Sequence, residues 1–445
     1  MLPAGSHTLA TLRLINPYEK GCIFCGMQTL SKDAQSARRN ASGSASDGAT
    51  TAGETRRVGL FVLLVLVLAT YLSQVSSIAM TPFLLQMSQE FGVDLSAMGI
   101  LLAVGSVTWG AVAVFAGLAS DRLGRRPVIL VGLLGLAVSP MGLAISSGLW
   151  DALFWRFWGG LGGGVFMGTA FAAAADMFPA RERGRALGWM ITAQSLGLVV
   201  GVPMVAYGGA LFGWRAALAM QGAVIVVAAA LVWFVLPRQA AQSQAERGPA
   251  VNVWRLLTPK VLALLGANSM ERFCYGGVAV YLATYLVTSY GASLELVAVG
   301  LGLVALGNLF GNFVGGELSD RLRSRTALAA ISLGLTGLLA VPLLLWQPGL
   351  WASVALGFVY TALNAVGRPS LMASVSEVSN EARGALLGVN MTFASFGWLG
   401  SQAFGGWLIA TMGFPIFGVL TAVAGILGAV LAISAGIPGR ARAAA

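Results

Sequence analysis

Residues 117–126 read Gly117-Leu118-Ala119-Ser120-Asp121-Arg122-Leu123-Gly124-Arg125-Arg126. This charged stretch stands between two long apolar runs, 95–118 and 127–147. Each run is about long enough to cross a ~30 Å hydrocarbon layer as a helix. A connection so short and so charged belongs at a membrane surface. Gly124 permits a tight reversal, and Arg125 and Arg126 suit the lipid headgroups. Asp121 stands where a helix N-terminus or a cation can meet it. Gly117 offers a small residue for close helix packing.

The same alternation extends both ways along the chain. Apolar segments are expected at 58–82, 95–118, 127–147, 150–176, 185–211 and 214–236, then at 260–288, 295–318, 326–346, 349–376, 384–410 and 414–436. These are twelve spans, apolar on nearly all faces as lipid-exposed or bundle-buried helices must be. Composition agrees. Of 445 residues 57% are hydrophobic and only 10% are charged, and the mean hydropathy is +0.80. A water-soluble globule of ordinary composition has about 25% charged residues to cover its surface. The net charge of +10 does not signal nucleic acid, because the basic residues form short clusters between apolar runs rather than a stripe.

Those clusters set the orientation. Arg38, Arg39, Arg56 and Arg57 precede the first span, and the even-numbered connections carry further groups: Arg122, Arg125 and Arg126; Arg181, Arg183 and Arg185; Arg238, Arg247, Arg255 and Lys260; Arg321, Arg323 and Arg325; Arg383. Arg440 and Arg442 follow the last span, and only Arg215 falls on the other side. The positive-inside bias puts both termini in the cytoplasm of a multi-pass cell-membrane protein. Residues 1–57 read as a disordered cytoplasmic tail, rich in Ser, Ala, Thr and Gly over 31–55. Residues 237–258 read as a cytoplasmic central loop between two six-span halves, 58–236 and 259–436, and 437–445 as a second tail.

The halves repeat. Asp121-Arg122 follows the second span and Asp320-Arg321 the eighth. Arg183-Gly184-Arg185-Ala186-Leu187-Gly188 is echoed 200 residues on by Arg383-Gly384-Ala385-Leu386-Leu387-Gly388, and Gly197 by Gly397. Duplicated six-helix halves are a transporter architecture. Intramembrane enzyme chemistry finds little support. The one histidine, His7, and two of the three cysteines, Cys22 and Cys25, lie in the tail; only Cys274 lies in a span. A lone C-x-x-C lacks the second half of a structural zinc site. No metal or cofactor is expected.

The 117–126 loop resembles the signature loop between helices 2 and 3 of the major facilitator superfamily, and Gly315-Gly316-Glu317-Leu318-Ser319-Asp320-Arg321 resembles its degenerate second copy. The resemblance implies that Gly117, Asp121, Arg122, Gly124 and Arg125, with Asp176, Asp320 and Arg321, act in conformational switching. Asp121, Arg125 and Asp176 are the cluster expected to hold the cytoplasmic side shut. Arg156-Phe157-Trp158-Gly159-Gly160-Leu161-Gly162-Gly163-Gly164 is similar to the family's fourth-helix arginine motif, which implies a part in proton transfer. Arg156 lies about 10 Å into its span, so a snorkelling arginine paired with Asp151 is the alternative. Gly188, Gly197, Gly201 and Pro203 resemble the antiporter motif of the drug-efflux branches, with Val202 interrupting the family's Gly-Pro.

Glu271 is the one acidic residue expected at mid-membrane, about 16 Å beyond Lys260. An intramembrane carboxylate costs of order 3 kcal/mol and marks function by default. Asn268, Glu271 and Tyr275 share a helix face, whereas Arg272 points about 100° away and need not pair with Glu271. A structural ion pair with another helix's arginine is the alternative. Tyr71, Gln74 and Gln194, with Asn308, Asn312, Asn364 and Arg368, complete the polar candidates for substrate contact alongside Arg272 and Tyr275. The expectation is an all-α bundle of two six-helix halves and a monomeric alternating-access transporter. Its first reading is proton-coupled efflux of a drug-like or metabolite solute, with Glu271 carrying the proton and Arg156 modulating it. A second is organic-anion transport on Arg156, Arg272 and Arg368. A third, of another class, is a membrane receptor that binds without flux.

Overall fold

The computed structural model describes residues 59–178, 180–237, 257–322, 324–378 and 383–436. The expected tails and most of the central loop lie outside the described residues. From Leu60 onward the described chain forms one compact unit, and its regular structure is helical throughout.

We number the helices α1 (Gly59–Phe91), α2 (Leu95–Leu123), α3 (Arg125–Ile145), α4 (Leu149–Met177), α5 (180–212) and α6 (Trp214–Val235) in the first half. The second half has α7 (Pro259–Tyr290), α8 (Leu294–Arg321), α9 (Arg325–Leu344), α10 (Leu350–Ser376), α11 (383–412) and α12 (414–436). Among the described residues nine stretches are long and apolar enough to count as spans at once. The last of them, Gly388–Gly436, is two helices parted at Gly413. α4 and α7 are long enough but carry Arg156 and the Glu271-Arg272 pair within the span. Including both completes the twelve.

Local chemistry sets the ends. Asp94 accepts from the Ala97 amide to start α2, and Thr258 accepts from the Val261 amide ahead of Pro259 to start α7. Gly213 (φ 84°, ψ 155°) and Gly413 (φ 82°, ψ 175°) make the α5–α6 and α11–α12 corners, in a region that only glycine occupies readily. Their separation repeats the offset between the halves. Each half also carries a π-helical turn in the corresponding helix, Gly197–Gly201 in α5 and Gly400–Phe404 in α11. One expectation needs correction: α1 does not end at 82. It breaks at 79–80 before Pro82 and continues through Phe91, because proline lacks an amide donor and its ring crowds the preceding turn.

The two halves share a core at one end only. We call the end carrying residues 59 and 436 terminal, and the other distal. At the distal end one apolar cluster joins both halves, including Phe83, Met98 and Leu101 of the first with Tyr281, Leu408 and Phe417 of the second. Toward the terminal end each half has its own core. One includes Leu66, Leu133 and Phe166, the other Leu264, Leu333 and Leu371. The halves therefore meet distally and part terminally.

Candidate functional site

Glu271 is fully buried in the middle of α7. Its Oε1 accepts from Nε and Nη2 of Arg368 on α10, at 3.1 and 2.8 Å. Its Oε2 lies 2.9 Å from Nε of Arg272, an ion pair outside hydrogen-bond alignment. Glu271 is thus shared by two guanidinium groups, one on its own helix and one on α10. Arg272 reaches Glu271 because a side chain with several rotatable bonds can bend back across the 100° between neighbouring helical positions.

α10 is pinned to α7 around this cluster. Asn364 Nδ2 donates to the Glu271 carbonyl at 3.4 Å, and the Tyr360 hydroxyl donates to the Cys274 carbonyl at 2.9 Å. The Arg368 guanidinium stands 4.9 Å over the Tyr275 ring, and Trp398 of α11 meets Tyr275 edge-on at 5.7 Å. Close approach of α11 needs glycine: a Cβ on Gly397 would lie 2.8 Å from Arg272 Cβ, and one on Gly276 3.0 Å from the Trp398 ring. Side-chain exposure is 0% for Glu271, 17% for Arg272 and 13% for Arg368. The carboxylate lies behind and the guanidinium groups reach open space. Among the described residues, neither Nη of Arg272 nor Nη1 of Arg368 has an acceptor. With two positive groups and one negative, the cluster carries a net charge of about +1.

Arg156 belongs to the other half. Its Nη2 donates to the Ser77 carbonyl at 2.6 Å, in the last turn before the break in α1. A cation there complements the helix C-terminus and occupies a carbonyl that the break releases. Gly105 makes room, since a Cβ there would lie 2.8 Å from Arg156 Nε. Asp151 instead accepts from the Ser147 amide at 3.2 Å, so the alternative pairing with Arg156 is not seen. No contact joins Arg156 to Glu271 among the described residues.

The other polar candidates have local partners. Tyr71 and Gln74 pack on the π-helical turn of α5, where a Cβ on Gly197 would lie 3.0 Å from Gln74 Cβ and one on Gly201 3.0 Å from Tyr71 Oη. Gln194 Nε2 lies 3.1 Å from Met167 Sδ. Asn312 donates to the carbonyl and side chain of Asn308 at 2.9 and 3.0 Å. Of the expected substrate contacts, the structure gathers Arg272, Tyr275, Asn364 and Arg368 around Glu271.

Among the switch residues, Arg125 Nε pairs with Asp176 at 3.0 Å, and Arg125 also donates to Ser120. Gly124 has φ 87° and makes the turn as expected. Arg122 is exposed, and the side chain of Asp121 lies outside the described residues. Gly117 is corrected: a Cβ there would meet nothing within 4 Å, because the halves have parted at that end. Arg321 pairs with Glu317 one turn earlier rather than serving with Asp320. The counterpart of Arg125–Asp176 is Arg325–Glu377, which sequence reasoning missed although the 200-residue offset from Arg125 leads to Arg325. Both pairs lie within a half, so neither closes the terminal end.

The profile of the Major Facilitator Superfamily matches residues 63–335 and 264–443. The inner membrane transport protein YdhP of Escherichia coli (strain K12) is 26% identical over 337 residues, 74% of this chain and 86% of that protein. A gallate transporter of Pseudomonas putida is 25% identical over 288 residues, 57% of this chain and 64% of that one. In fold, the chain resembles the crystal structure of a bacterial homolog to the human lysosomal transporter Spinster, in an inward-facing and occupied conformation. The TM-score is 0.74 at 17% identity, covering 84% of this chain and 96% of that one.

Proposed function

The chain belongs to the Major Facilitator Superfamily, and from that premise we propose that it carries a small organic anion across the membrane by alternating access, on Arg272 and Arg368. One observation carries this reading: two intramembrane guanidinium groups share a single carboxylate and keep three nitrogens without acceptors. Polar hydrogens in a low dielectric need acceptors. A monoanion supplies them and brings the cluster to neutrality. Guanidinium forks favour carboxylate or sulfonate geometry, and Tyr275 and Trp398 offer aromatic edges beside them. The gallate transporter among the relatives supports the same substrate class.

Efflux of a neutral or cationic drug draws less support, because the carboxylate it needs is already occupied. Proton coupling retains a specific basis. The Glu271 carboxylate and a bound anion repel each other across the shared guanidinium groups, so a proton on Glu271 removes that repulsion. Each ligand then favours the other, as linkage requires, and both move in the same direction. The arginine bias puts the termini, and hence the parted end of the bundle, on the cytoplasmic side.

Thermal stabilisation of the purified protein by matched carboxylates, sulfonates, amines and neutral solutes tests the reading. Stabilisation by anions, lost in Arg368→Gln, is the expected result; stabilisation by amines alone contradicts it. Anion binding with no flux in vesicles would establish the receptor reading instead.

A further inference from the structure

The two halves touch distally mainly through apolar side chains and glycines. Among the described residues a single side-chain hydrogen bond crosses between them: Ser106 Oγ of α2 donates to Gln402 Oε1 of α11 at 2.6 Å. No ion pair between described residues crosses there; the pairs of Arg125, Arg215, Arg272, Arg321, Arg325 and Arg368 each stay within one half. Gln402 is 3% exposed and sits inside the π-helical turn Gly400–Phe404. A π turn adds one residue to the helical repeat and re-aims the side chains and carbonyls around it. The Gln402 carbonyl accepts from the Tyr281 hydroxyl of α7, which fixes the turn to its own half while the side chain reaches the other. Backbone meets backbone beside it: a Cβ on Gly99 would lie 2.5 Å from the Gln402 carbonyl oxygen and 3.2 Å from Gly406 Cα. The matching π turn of α5 forms no such bond. There Val199 and Pro203 face Gly302 of α8, each 3.4 Å from where its Cβ would stand.

We infer that Ser106–Gln402 is the latch of the distal end, held in register by Tyr281 and released each time the distal side opens. The inference is independent of which solute is carried. Its chemistry suits a reversible seal. A neutral hydrogen bond in an apolar interface contributes modestly and parts without stranding a charge, whereas breaking a buried ion pair there would leave two. Among the described residues the ion pairs are accordingly kept within the halves.

Pulsed spin-label distances between Ile100 and Met412, both exposed near the distal ends of α2 and α11, read the latch directly. The protein is used as the full chain in lipid nanodiscs, with Cys22, Cys25 and Cys274 replaced. Without solute, the short distance should dominate. Ser106→Ala and Gln402→Ala should each raise the ratio of long to short distances by roughly two- to tenfold. Because both remove the same bond, the double variant should add nothing further. Ser106→Thr keeps the hydroxyl and should resemble the parent. Unchanged distributions in both single variants, or effects that simply add in the double, would overturn the assignment.

Discussion

Removing one member of the Glu271–Arg272–Arg368 cluster strands the others. Glu271→Gln leaves two guanidinium groups facing a neutral amide, and breaking a buried pair typically costs about 3–5 kcal/mol. Thermal unfolding in detergent should show a marked loss for Glu271→Gln. Part of it should return in Glu271→Gln/Arg272→Gln, where one unpaired charge has gone; a double variant weaker than the single would refute the shared pairing. The same substitution removes the repulsion between Glu271 and the substrate. Anion affinity should rise by about tenfold in Glu271→Gln, the scale of one screened like-charge contact. Any pH dependence of binding that rests on Glu271 should vanish in the variant. A pH dependence that survives the substitution would remove Glu271 from coupling.

At the scale of helices, Arg156 acts on α1 rather than on Glu271. Pro82 interrupts α1, and Arg156 takes up the Ser77 carbonyl below the break. Arg156→Met should therefore cost about 1–3 kcal/mol of stability through an orphaned carbonyl. The pH dependence of anion binding should stay as in the parent; a shifted dependence would restore Arg156 as a modulator of Glu271. The spans themselves were legible in the chain because lipid leaves few ways to satisfy a backbone, and the glycine corners were legible as breaks between apolar runs. The pairing of Glu271 with Arg368 was not: it joins residues 97 apart, and no periodicity reports how α7 and α10 face each other. Pro82 marked an end where the chain resumes as helix. Gln402 carried no signal at all, since a π turn is invisible in composition. Gly117 was read as a packing residue because a small residue admits a close neighbour, and here none approaches it.

For the whole molecule, one shared distal core and two separate terminal cores describe a bundle open toward the end that carries both termini. From the arginine bias we propose that this end faces the cytoplasm. Reporter domains fused within 239–250 or after Gly439 should stay cytoplasmic, and one within 289–293 should be external; cytoplasmic activity from the last would invert or break the twelve-span topology. Counterflow in proteoliposomes measures alternating access on the cationic cluster itself. Vesicles preloaded with a small carboxylate should accumulate the same labelled carboxylate without any imposed gradient, and Arg368→Gln should abolish the accumulation. Counterflow of amines or neutral drugs in place of carboxylates, or carboxylate counterflow undiminished in Arg368→Gln, would contradict the account.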